Sequence, residues 1–158
     1  MPGRRMMLLL IAGCAAGAPG PLRLTLGGAH DDGSGFLPLS GDVDLVPGAQ
    51  GGFHLWLKYR LSGVDRQVHV IRSAVRVSDG RAILNALPLV QTVTDPFESP
   101  EAMPSFMCPT PIGVRVYDEE VELRLQIRDG DATLAEGSAR VIARCPPNND
   151  FCPRICGG

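Results

Sequence analysis

Four cysteines carry the most legible chemistry of this chain: Cys108, Cys145, Cys152 and Cys156. Thiols can crosslink, hold a soft metal or exchange disulfides. The last three are spaced C-x6-C-x3-C, with Cys108 remote. That spacing lacks the C-x2-C knuckle usual in four-cysteine zinc sites. No C-x-x-C is present for a redox pair. An even number of thiols in an exported chain predicts disulfides, because the export compartment is oxidising. Four cysteines permit three pairings, and the spacing does not choose among them.

The next candidate cluster is Gln50-Gly51-Gly52-Phe53-His54, followed by Trp56. Two glycines before a strand let backbone approach closely or take positive φ. His54 and Trp56 fall on one face of that strand. With Gln50 they make a possible binding surface, in which an imidazole and an indole supply donors and a flat apolar platform. The bland alternative is a strand start with a bulge and a sheet-face histidine. His30-Asp31-Asp32 could lend oxygen and nitrogen ligands to a metal, but the D-x-D-x-D-G calcium spacing is absent. It reads as a solvated loop, as do Asp42 with Asp44, and Asp118 with Glu119 and Glu120. His69 reads as a sheet-face residue. No serine has a G-x-S-x-G setting, and no histidine lies in H-E-x-x-H. The sequence therefore gives no catalytic residue, no metal site and no cofactor motif.

These residues must be positioned by strands. Leu22, Leu24 and Leu26 share one face of a first strand, and Gly27 to Gly35 reads as a loop. Phe36 to Leu39 predicts an edge strand, since Pro38 removes a ladder donor. Val43, Leu45 and Val46 mark a short strand. Residues 53–61 alternate over nine positions, with Phe53, Leu55, Leu57, Tyr59 and Leu61 on one face. In residues 67–78 the apolar parity slips between Val70 and Val75, which predicts a bulge or kink near Arg72 to Ala74. Asp79-Gly80 predicts a type I′ hairpin, followed by strands at 82–85 and 87–93 around Pro88. Five prolines between Asp95 and Pro111 predict a long irregular excursion that Cys108 could staple. Ile112, Val114 and Val116 alternate again, and Asp118-Glu119-Glu120 reads as a turn. Val121, Leu123, Leu125 and Ile127 line a buried face. Asp129-Gly130-Asp131 predicts a second hairpin turn, and the last strand runs over 138–145. The tail after Cys145 reads as a knot held by sulfur.

Seven or eight short strands and no helical stretch predict an all-β fold: a single antiparallel β-sandwich with a disulfide-stapled C-terminal tail. Its architecture resembles immunoglobulin-like domains, although no Cys precedes Trp56 at the usual interval. A closed barrel is the structural rival. The 158 residues carry a formal charge of −2, with Lys58 the only lysine and arginines spread singly. That distribution gives nucleic acid nothing to bind.

The opening segment predicts location. Arg4 and Arg5 precede an apolar run over Met6 to Ile11, then Ala12, Gly13 and Cys14. Charge, apolar core and small residues are the order of an export signal. Cys14 after two small residues resembles the bacterial lipobox. That resemblance implies a diacylglyceryl group on the Cys14 thiol, cleavage just before it and acylation of the new amino end. The expected organisation is a signal peptide over 1–13, a lipidated Cys and tether over 14–20, a sandwich over 21–145 and a Cys-rich tail over 146–158. Ala16-Gly17-Ala18 is the competing site, and cleavage there would release a secreted protein. The apolar run falls short of the ~20 residues that span a bilayer. Ala15 is not the Asp that retains lipoproteins at the inner membrane of some bacteria, which points to the outer one. Residues 48–56 and the tail Phe151-Cys152-Pro153-Arg154-Ile155-Cys156 are similar to those of uncharacterised lipoproteins of Gram-negative bacteria. The resemblance implies an envelope location and no activity. The expected function is a lipid-anchored binding or structural module of the cell envelope without catalysis. Its partners would be the membrane, through the anchor, and an envelope protein or polymer. The alternative is a small secreted or envelope hydrolase or metal-dependent enzyme using His54 or His30.

Overall fold

The computed structural model describes residues 20–110 and 113–158, excluding the side chains of residues 106 and 107. The export segment, Cys14 and most of the tether lie outside the described residues, as does Ile112. Ten strands, one short helix and two sheets make up the described body. In the first sheet β4 (Phe53–Ser62) is the spine. One edge of β4 takes β1 (Arg23–Gly27) and β3 (Val46–Pro47); the other takes β7 (Phe97–Glu98) and β8 (Met103–Cys108). The second sheet runs β2 (Gly41–Asp44), β10 (Ala132–Arg144), β9 (Glu120–Asp129), β5 (Arg66–Arg76), β6 (Ala82–Val93). The pairs are antiparallel except β2 on β10, which are parallel. That pairing joins residues about a hundred positions apart, and alternation within either strand carries no mark of it.

Period two forms the core. Phe53, Leu55, Leu57, Tyr59 and Leu61 are buried on one face of β4, and Val121, Leu123, Leu125 and Ile127 are buried on β9. Both sets belong to one hydrophobic cluster. Full burial of each such side chain contributes about 1.5–3 kcal/mol. The solvent face of β9 carries Glu122 and Arg124, which pair with each other, and Arg140 of β10 reaches the same Glu122.

The irregularity expected at Arg72 to Ala74 is present, but its extra residues belong to β6. The β5–β6 register slips between Arg72 and Ala74 and again between Ala74 and Val75. Against β9 the register of β5 is unbroken. β5 therefore keeps parity: Val68, Val70 and Ala74 are buried, and the inward position between Val70 and Ala74 is held by Arg72. Pro88 sits within β6, the edge strand of its sheet, where a missing donor is tolerated.

Several local expectations are corrected. The Asp79-Gly80 turn is not a two-residue hairpin; residues 77–81 form a longer loop in which Gly80 N–H donates to the Arg76 carbonyl. Gly80 alone in that loop has positive φ, 69°. The 36–39 segment contributes one isolated bridge, Gly28 to Leu37. The proline-rich excursion is not irregular throughout, because β7 and β8 both pair with β4 inside it. Val114 and Val116 are buried without a strand. The tail holds a helix, α1 (Phe151–Cys156), that alternation did not signal. Two disulfides close it: Cys108–Cys156 and Cys145–Cys152.

Candidate functional site

The two glycines ahead of β4 serve different needs. Gly51 takes φ 83° in the β3–β4 turn. A Cβ on Gly52 would lie 2.7 Å from the Cys108 carbonyl oxygen. The turn closes through Gly48 N–H to Gly52 O, 2.7 Å, and leaves Gln50 exposed at its tip. His54 and Trp56 meet edge to face, with ring centroids 4.4 Å apart. His54, however, is only 4% exposed. Burial pushes its pKa below the ordinary 6.5. Gln50, His54 and Trp56 are thus not one displayed surface.

What covers the outer face of β4 is the loop that follows β1. Trp56 Nε1 donates to the Asp31 carbonyl at 2.9 Å. Gly33, at φ 82°, would carry a Cβ 3.8 Å from the indole. The loop is held by His30 N–H to Ser34 O (2.9 Å) and Gly33 N–H to His30 O (2.8 Å). Lower on the same face, the Arg60 guanidinium lies 4.0 Å from the Phe36 ring centroid and binds Glu98 at 2.7 Å. Lys58, 5% exposed, reaches the same Glu98.

Between this loop and β2–β3 opens a cleft of about 560 Å³. Its lining includes His30, Asp31, Asp32, Asp42, Asp44 and Trp56. The sequence treats these acids as separate turn residues, and the fold brings them to one concavity. No local signal could have found this, since the loop packs across β4 and β2 is placed by its distant parallel partner. The Asp32 carboxyl is held below its usual 3.8 chiefly by hydrogen bonding from Ser34, with His30 adding a smaller attraction. Asp42 is engaged by Arg144 at 3.1 Å.

The cleft offers carboxylate oxygens and an indole, a surface suited to ammonium or guanidinium groups. Among the described residues, three possible ligand atoms converge within 4.8 Å only at Cys145, Cys152 and Cys156, where two disulfides hold the sulfurs. His30 lies in the cleft and His54 outside its lining, so the fold does not bring the two histidines together there. No helix of the described residues is long and apolar enough to cross a membrane. No protein-family model matches the chain, and neither a curated protein nor a solved structure does.

Proposed function

We propose that this chain is a lipid-anchored binding or structural module of the bacterial cell envelope, akin to lipoproteins of Gram-negative bacteria and held at Cys14. The observation that carries the reading is the pairing of all four body cysteines, Cys108–Cys156 and Cys145–Cys152. Disulfides persist where the compartment is oxidising, which is where the Arg4-to-Cys14 signal would send the chain. One acyl chain holds a protein only marginally, so stable attachment needs more than one on Cys14. The outer membrane is the expected site, with secretion after Ala18 as the competing fate. The two-sheet body supports an immunoglobulin-like sandwich as its finer architecture. The acidic cleft supports recognition of an envelope protein or polymer that presents amines or guanidinium groups.

Cell fractionation tests the anchor. Cys14→Ser should move the protein from the membrane to the soluble fraction, and an unchanged distribution overturns it. A pull-down from native envelope tests the cleft. Asp31→Asn with Asp44→Asn should lose the captured partner, and equal capture removes the cleft from the reading.

A further inference from the structure

A second concavity lies between β6 of one sheet and β8, with the residues just before it, of the other. It measures about 300 Å³, at the lower end of small-molecule sites. Arg72 lines it from the inward face of β5, opposite Leu125 and Leu87 in register. An arginine at an inward sheet position needs an explanation, because charge in the interior is costly without a partner. Arg60, Arg66, Arg124 and Arg144 each sit beside a carboxylate. Arg72 has none within ion-pair distance among the described residues; its Nη1 donates to the Pro104 carbonyl at 2.9 Å. Burial pulls its pKa below the ordinary value of an arginine.

Tyr59 lines the same slot from β4. It is 1% exposed, and its hydroxyl has no hydrogen-bond partner among the described residues. Apolar walls come from Leu89, Met103 and Pro104, and Leu89 stays 44% exposed although it points inward. Glu101, an exposed carboxylate of the lining, forms no ion pair with Arg72.

We propose that this slot binds a small monocarboxylate carrying an apolar chain, with Arg72 taking the carboxylate and Leu89, Met103 and Pro104 packing the chain. The guanidinium has donors to spare, and its fork matches a carboxylate in two parallel hydrogen bonds. The apolar chain would cover the exposed side of Leu89. This reading is independent of the acidic cleft and of the anchor.

Titration calorimetry with hexanoate and octanoate, and with hexanol as the uncharged control, tests it on the full chain in detergent. Both carboxylates should bind, octanoate more tightly, and hexanol at least tenfold more weakly than hexanoate. Arg72→Gln should abolish carboxylate binding, while Arg72→Lys, which keeps the charge without the fork, should retain a weakened affinity. Circular dichroism of both variants establishes that they are folded. Absent binding, equal binding of hexanol and hexanoate, or undiminished binding by folded Arg72→Gln would each overturn the proposal.

Discussion

At the scale of single residues, two buried polar side chains give opposite expectations. The Tyr59 hydroxyl is buried without a partner among the described residues, and burial pushes its pKa up to about 12. An unsatisfied buried hydroxyl costs about 1–3 kcal/mol. Tyr59→Phe should therefore be neutral or more stable by about 1 kcal/mol, read from the urea midpoint. His54 is buried with its pKa lowered. The unfolded chain then takes up the proton before the folded one, so stability falls as pH drops below 6.5. His54→Phe should remove that slope, and midpoints measured on either side of the histidine range would show it. Gly52→Ala should cost about 1–3 kcal/mol, since the carbonyl it would strike is backbone and cannot swing away.

At the scale of elements, β4 and β9 were legible because nothing interrupts their alternation, and Leu125→Ala should cost about 2–5 kcal/mol in chemical denaturation. What was not legible has a physical reason in each case. The prolines around β7 and β8 signal loop, yet both strands pair with β4 along an edge where occasional missing donors are tolerated. β2 depends on a parallel partner far along the chain. Arg72 broke the apolar pattern of β5 and so suggested a kink in the wrong strand. The gathering of His30, Asp31, Asp32, Asp42 and Asp44 follows from where a loop comes to rest, which no local pattern encodes. The disulfide content was legible from even thiol number, whereas the pairing needed the fold.

At the scale of the whole molecule, ion pairs and crosslinks set the response to acid and to reductant. Asp79 is held down to about 2, first by hydrogen bonding from Arg76. Glu98 and Glu122 are lowered by Arg60 and Arg124 respectively. A depressed carboxylate contributes stability above its unfolded pKa and loses it as pH falls through the folded one. The melting temperature should therefore hold above the ordinary carboxylate range and fall as pH drops from 3.8 towards 2, the interval Asp79 defines. Cys108–Cys156 spans 48 residues and Cys145–Cys152 spans 7. In the chain-entropy model these loops correspond to about 4 and about 2 kcal/mol. The Cys108→Ala/Cys156→Ala pair should therefore lower the melting temperature more than Cys145→Ala/Cys152→Ala.

The two ends of β4 also give the body a direction. Gly20 enters beside Gly63, just past the last residue of β4, while the first residue of β4 pairs with Cys108. Ten strand residues separate those poles by roughly 30 Å. A chain tethered from residues before Gly20 would hold the cystine-bearing cap farthest from the lipid. Neighbouring macromolecules would then meet that cap before any other part of the protein.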